Sequence, residues 1–331
     1  MSRTRQPKTP WYTRSRYAQQ HWKATTDLLP EAARARGRTW IEQDRQRIAV
    51  GPFPICLPES WAVLNLLPEI REEALRRFAA HAIEWHHWTP GPDGERLPST
   101  HLLDSQVQCV NTLLSLARQP VTLLEMVRSQ VPDATRLVTI EDDSEVAFEW
   151  IGKLDYLGER GHRPRHRGRL TTSADALLVA ERTDGGRTAV VVEWKFTESY
   201  PTPMPKTGSS AEFRKRRYGP LYAAAAPVFQ QPPSLDAFFQ EPHYQLLRQA
   251  LLGLSMVEHG ELGVDQAVLL HVVPADNLTL RKTLTPALAA LGETMDAAWT
   301  MLLPGPVVRY ACVDSTSLLA ACPAVAARYL S

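Results

Sequence analysis

Three side chains in the middle of the chain, Asp175, Glu193 and Lys195, are of the types that hydrolyse a phosphodiester. That reaction needs a divalent cation to offset developing negative charge and to polarise a water, a contribution of roughly several kcal/mol. Magnesium takes hard oxygen ligands, commonly one or two carboxylates completed by waters and phosphate oxygens. A neighbouring lysine holds the attacking water and balances the carboxylates; as a true general base it first needs a lowered pKa. Spacing alone carries little. With seven Lys and 36 acidic residues among 331 positions, about 0.8 acid-x-Lys matches arise by chance, and one is present.

Placement is more informative than count. Glu193 and Lys195 close the most apolar run of the chain, residues 188–196, with Ala189-Val190-Val191-Val192 at its centre. Side chains alternate along a strand, so Glu193 and Lys195 point to one face and Val192, Trp194 and Phe196 to the other. Residues 174–181 read as the preceding strand, and Thr183-Asp184-Gly185-Gly186 as the hairpin turn between them. Asp175 shares the face of Glu193 and Lys195 only if the loop has an odd number of residues. A three-residue Asp184-Gly185-Gly186 loop pairs Asp175 opposite Lys195, with Glu193 diagonal. A two-residue loop separates the faces unless a bulge intervenes. The competing reading is an exposed Glu193–Lys195 ion pair and a turn-capping Asp175, which is worth little.

Other elements follow from periodicity. Residues 68–83 carry apolar Ile70, Ala74, Phe78 and Ala82 at helical spacing, and residues 104–117 a second apolar helical face. A shorter helix fits 121–130, a strand 145–150, a helix 243–258 and a strand 267–273. The rest alternates helix (284–302), strand (306–313) and helix (315–328). Residues 197–242 show little periodicity, and a connection that long is usually functional or mobile. The central order is helix, strand, strand, strand, helix, strand. The expected division is a basic, partly ordered arm (1–60), a helical region (61–100), the core (101–275) and an αβα extension (276–331).

The net charge of +1 conceals three basic clusters. Residues 1–50 hold eleven Lys or Arg against four acids, and residues 159–169 hold Arg160, Arg163, Arg165, Arg167 and Arg169. The third cluster is Arg214-Lys215-Arg216-Arg217. Such clusters on a near-neutral protein suit phosphate contacts, although each alone is equally a solvated loop. No run of about 18 apolar residues exists to span a membrane. The N-terminus lacks the apolar stretch of a secretory signal, and its Trp, Tyr and Gln content speaks against an organelle transit peptide. Cys56, Cys109, Cys312 and Cys322 are scattered, as expected of reduced thiols in a cytoplasmic protein. Neither a GxSxG elbow nor a Gly-rich phosphate or dinucleotide loop is present.

With Ala174-Asp175 and Glu193-Trp194-Lys195 at these positions, the chain resembles the PD-(D/E)xK nuclease superfamily. A narrower resemblance runs from about residue 70 to 275, carried by Ile83-Glu84-Trp85-His86, Leu102-Leu103-Asp104-Ser105-Gln106, Phe148-Glu149-Trp150, Val192 to Glu198 and Tyr244-Gln245-Leu246-Leu247-Arg248. These segments are similar to a prokaryotic family of restriction-endonuclease-like proteins. The resemblance implies an α/β fold with an αβββαβ core, a central mixed sheet flanked by helices. It further implies a magnesium-dependent endonuclease, with manganese able to substitute, acting in restriction or anti-phage defence. Asp175 and Glu193 would hold the metal and Lys195 the water, with Ala174 replacing the usual proline. DNA is the expected substrate, with an RNA- or junction-directed nuclease and a non-catalytic binding subunit as alternatives; a homodimer or a defence partner protein would complete it.

Two further residues join the candidate site through the same resemblance. Glu149 is a metal ligand or a solvent-facing strand residue, and Gln245 a polar contributor from the second core helix or part of its exposed face. Ser105 and Gln106 open a helix and suffice as its cap. The Trp85-His86-His87-Trp88 run is expected to pack, because adjacent histidines on a helix diverge by about 100° and rarely share one ion.

Overall fold

In the computed structural model the described residues are 9–43, 46–160, 164–169, 171–200 and 207–330. Where the sequence offered a partly ordered arm, a helix and a hairpin stand: α1 (Pro10–Thr25), β1 (Gly37–Gln43) and β2 (Gln46–Phe53). Little in the local pattern of α1 marks a buried face. Its partners are distant ones: Trp11 Nε1 donates to the Phe196 carbonyl at 2.6 Å and Gln19 Nε2 to that of Arg328 at 2.7 Å. Next come α2 (Arg71–Ala80), the short ribbon β3 (Thr89–Pro90) and β4 (Arg96–Leu97), α3 (Ser105–Ala117) and α4 (Pro120–Arg128). Asp104 caps α3, its side chain accepting from Val107 N.

The central sheet is built from β5 (Ala134–Leu137), β6 (Ala147–Trp150), β7 (Ala174–Arg182), β8 (Arg187–Trp194), β9 (Gln266–Val273) and β10 (Val308–Asp314), in the order β10-β9-β8-β7-β5 with β6 also on β7. Strands β8, β9 and β10 run parallel, while β7 is antiparallel to β8, β5 and β6. The sheet is therefore mixed and flanked by helices. One face packs against α3 through Ala176, Leu178, Val190, Val192 and Trp194. The other, through Leu177, Val179, Ala189 and Val191, packs against α5 (Ser209–Ala224), α6 (His243–Glu258), α7 (Leu278–Arg281), α8 (Pro286–Ala289) and α9 (Met295–Leu302). Each such Leu or Val side chain, taken out of water, contributes roughly 1.5–3 kcal/mol. Helices α10 (Ser315–Ala320) and α11 (Pro323–Tyr329) return to the α3 side.

Three expectations change. The helix anticipated over 284–302 is broken into α8 and α9, with Gly292 lying so close to Ala297 and Ala298 that a Cβ there would sit 2.7 Å from their atoms. Helix α5 occupies the stretch that showed no periodicity, since it buries only Ala211 and Tyr218. The β7–β8 turn has the expected odd number of residues but is displaced by one. Arg182 N donates to Gly186 O, Thr183-Asp184-Gly185 form the loop, and Gly185 takes the left-handed conformation (φ +83°). All four cysteines are free, and burial pushes the Cys56 thiol up to about 12. No helix among the described residues is long and apolar enough to cross a membrane.

Candidate active site

The register of β7 on β8 pairs Ala176 with Val192. One step further, Asp175 stands across from Glu193, not from Lys195 as the expected Asp184-Gly185-Gly186 loop would have had it. The odd loop keeps all three charges on the α6 face. Asp175 is half-buried, Lys195 nearly enclosed and Glu193 fully so.

Helix α6 covers this end of the strands with two glutamines one turn apart. Lys195 Nζ donates to Gln245 Oε1 at 2.9 Å and also contacts Glu193 Oε1. Gln249 Nε2 donates to Glu193 Oε2 and, at 3.0 Å, to the Ser173 carbonyl. Asp175 Oδ2 accepts from the Trp194 backbone N–H at 2.6 Å, which ties the β7 carboxylate to the strand carrying Glu193. Gln249 was not anticipated; its i+4 spacing from Gln245 was the available signal.

Glu149 joins from β6. Its backbone is left-handed (φ +48°) and breaks the ladder between Phe148 and Trp150, a conformation uncommon outside glycine. The buried carboxylate accepts from Gln106 Nε2 at 2.7 Å and Ser173 Oγ at 2.6 Å. Gln106 therefore does more than open α3: it also donates to the Glu84 carbonyl at 3.2 Å. The solvent-facing alternative for Glu149 does not hold.

Three acids against one lysine, with Glu193 and Glu149 buried and Asp175 half-buried, leave negative charge in excess. Burial, then the Glu193 and Glu149 charges, push the Asp175 carboxyl well above its ordinary range. Burial also raises Glu193, with Lys195 and Gln249 offsetting part of the effect. For Lys195, burial pulls the ammonium down, but the surrounding carboxylates, Glu193 foremost, outweigh it and hold it well up. Geometrically, Lys195 serves as a donor to Gln245 and Glu193. Among the described residues no group of three or more His, Cys, Asp or Glu side chains is arranged to hold an ion alone.

Asp175, Glu149 and Gln245 open onto a pocket of about 370 Å³ whose other wall is basic and aromatic: Arg169, Arg217, Arg248, Phe213, Tyr218 and Tyr244. The basic clusters divide sharply here. Arg165 donates to the carbonyls of Ile151, Gly152, Lys153 and Leu154, and Arg167 to Glu141 and the Phe148 carbonyl. Both arginines therefore hold their own loop together. Arg169 pairs with Glu84 at 3.4 Å on the pocket rim, Arg160 donates its backbone N–H to Asp155, and Arg163 lies outside the described residues. In the third cluster Arg214 stacks on Tyr244 at 3.7 Å and Lys215 lies 3.7 Å from Glu212, whereas Arg216 is exposed and Arg217 faces the pocket. Arg248, carried by α6, lies 4.5 Å from the same Tyr244 ring.

Residues 85–88 are not helical, contrary to the expectation. Trp85 packs into the core, stacked on Phe78 at 3.6 Å, while His86 and His87 sit exposed in a turn (His87 φ +47°).

Residues 16–330 match the family described as Restriction Endonuclease associating with ARP. The chain belongs to that family. The match spans both the sheet and the flanking helices, and so includes all of the acidic, lysine and glutamine side chains gathered here. Searches of curated proteins and of solved structures returned no match. In this restriction-endonuclease-family chain the charged cluster lies where β7 begins and β8 ends, under the first turns of α6.

Proposed function

We propose that the chain is a divalent-metal-dependent nuclease built on a PD-(D/E)xK core formed by α3, β6, β7, β8, α6 and β9. The observation that carries this reading is the meeting of Asp175, Glu193 and Lys195 on one sheet face, beside a pocket rimmed by three arginines. Asp175 and Glu193 would hold the metal, with Glu149 near enough to orient its waters. The donor set fits magnesium, or manganese in its place: hard oxygens, excess negative charge, and an open side for water and phosphate. Once bound, the ion supplies charge neutralisation and an activated water.

The chain's own residues do the rest. Lys195, held charged by its acidic neighbours, donates to the water or to a phosphate oxygen, and Gln245 fixes its direction. Trp194 N–H and Gln249 Nε2 fix the two carboxylates. Arg169, Arg217 and Arg248 grip flanking phosphates, which makes binding fall steeply with salt. DNA is the substrate we favour, in a prokaryotic defence setting. The family's name adds association with ARP as a partner, and two-strand cleavage adds a homodimer.

A second reading rests on the enclosure of Glu193, whose two oxygens are engaged by Lys195 and Gln249. On that reading the isolated chain binds nucleic acid and cuts only when a partner opens the site. Cleavage of plasmid, linear single-stranded DNA and RNA with magnesium, comparing wild type with Glu193→Ala and Lys195→Ala, separates the two. Metal-dependent cutting lost in both variants supports the nuclease. Binding without cutting, alike in all three proteins, supports the second reading.

A further inference from the structure

Among the described residues three six-membered aromatic rings line the pocket onto which Asp175 and Glu149 open, and they are not equivalent. Tyr218 is buried, and its hydroxyl donates to Glu159 Oε1 at 2.6 Å. Tyr244 already carries two guanidiniums, Arg214 at 3.7 Å and Arg248 at 4.5 Å from its ring. Phe213, near the start of α5, is 50 % exposed. One turn further along the helix, the Arg217 guanidinium lies over the Phe213 ring at 4.6 Å.

A single exposed apolar side chain is ordinary. What sets this one apart is its place. It shares a cavity of about 370 Å³ with two carboxylates of the candidate active site, and a cation rests beside it. The wall around it is braced. Glu159 accepts from Thr172 Oγ1 at 2.7 Å and lies 3.8 Å from Arg248, which donates to the same hydroxyl at 3.1 Å. Carboxylates, arginines and one open ring therefore line a single cavity.

The choice of occupant rests on the nuclease reading. On that reading a phosphate enters between the carboxylates and the arginines, and in so small a cavity its base meets the α5 wall. In a duplex each base is paired and stacked on its neighbours, so it has no face to offer Phe213 until it leaves the stack. An unpaired base does, and stacking on an aromatic ring holds it whatever its identity. Arg217 adds a cation–π contribution, and its N–H groups remain available to phosphate.

We propose that Phe213, flanked by Arg217, is the stacking platform for an unpaired nucleobase beside the phosphate at the acidic cluster. The substrate class is then single-stranded nucleic acid, or a duplex from which one base has turned out. The platform selects unpaired over paired strands, and not one sequence over another.

The test measures affinities of the full-length protein by fluorescence anisotropy for labelled DNA: a single strand, its paired duplex, and that duplex with one bulged base. Calcium, which also takes oxygen ligands, replaces magnesium. The wild type is expected to bind the single strand more tightly than the paired duplex. Phe213→Ala should weaken single-strand binding about 5- to 150-fold and leave the paired duplex within about twofold. Phe213→Trp should keep the wild-type affinity and Phe213→Leu should not, which separates stacking from apolar bulk. A strand carrying 5-iodouracil should photocrosslink at Phe213, mapped by mass spectrometry. Tighter binding of the bulged than of the paired duplex, lost in Phe213→Ala, adds the turned-out base as a source. Equal binding of the two duplexes confines the platform to single strands. The proposal is overturned if the wild type does not bind the single strand, or if Phe213→Ala weakens paired and unpaired probes equally. Wild-type affinity for the single strand in Phe213→Ala or Phe213→Leu overturns it too. The half-exposed position should let these variants fold, which an unchanged melting temperature checks. If no strand is cut with magnesium, the nuclease reading falls while the affinities still decide the platform. If cutting persists and Phe213→Ala leaves affinity unchanged, the platform falls and the nuclease stands.

Discussion

The β7–β8 hairpin ends in a charge cluster at each extremity, and the two are opposites. At the turn, Arg182 meets Asp265 at 2.7 Å, Asp184 at 3.1 Å and Asp133 at 3.6 Å. Those acids are largely exposed, their hydrogen bonds raise the arginine, and the Gly186 N–H and Arg182 lower Asp184. At the open end, Asp175, Glu193 and Glu149 face a single lysine in a dry setting, and the acids shift upwards. In the first cluster every charge is answered by protein or water. In the second, protein alone leaves the carboxylates in excess, which on the proposed reading a divalent cation would offset. The same two strands thus carry one cluster suited to holding the fold and another suited to chemistry.

The comparison breaks most readily at the open end. Glu193→Gln and Lys195→Ala are expected to lower cleavage about 10²–10⁴-fold, measured as initial rates on plasmid. Asp175→Asn should do the same and also raise the melting temperature of metal-free protein by roughly 1–3 °C, because it removes a carboxyl that burial disfavours. A lower melting temperature for that variant would sink the idea that the site is in charge excess.

At the turn end the expected signs reverse. Arg182→Ala should cost about 2 kcal/mol in denaturant unfolding, with unchanged cleavage at a permissive temperature; a large loss of activity in the folded protein would erase the contrast. Smaller again is the expected effect on salt dependence. Arg217→Ala and Arg248→Ala should each reduce the slope of log K against log salt by about one, whereas Arg165→Ala should leave the slope alone.

The finest distinction is in pH. A carboxyl whose folded pKa is raised binds its proton more tightly when folded, so its stability contribution is present below the unfolded value and lost as pH rises through the folded one. Without metal, the protein should therefore lose stability from the ordinary carboxylate range upwards. Magnesium competes with that proton, so its stabilising effect should grow with pH. Melting curves with and without magnesium across mildly acidic to neutral pH check this, and a metal effect that shrinks as pH rises would contradict it.

What the sequence made legible was what strand and helix periodicity encode: β6 to β9, α3, α6, and the face shared by Asp175, Glu193 and Lys195. The register slipped by one loop residue because Thr183 and Gly186 are both plausible turn members, and only the Gly185 conformation and the Arg182–Gly186 bond decide between them. Helix α1 was not legible, since its partners Phe196 and Arg328 lie 185 and 309 residues away. The arginines of 160–169 misled for a related reason. Charge counts as a patch in sequence, but Arg165 and Arg167 find carbonyls and Glu141 close at hand in space. Gln249 carries only its i+4 spacing from Gln245 as a signal until Glu193 stands beside it.

The three-residue turn at 183–185 has a consequence for how this chain tolerates change. It lies about 25 Å along the strands from Asp175, yet its length fixes the parity of every position between. Removing or adding one residue there would put the two strands out of step: with β8 held in place, Asp175 would turn to the apolar wall of α3 and Ala176 to α6, away from Glu193 and Lys195. Relatives can therefore be expected to keep a glycine at 185, to vary the turn's other letters, and to change its length in steps of two unless a bulge restores the parity.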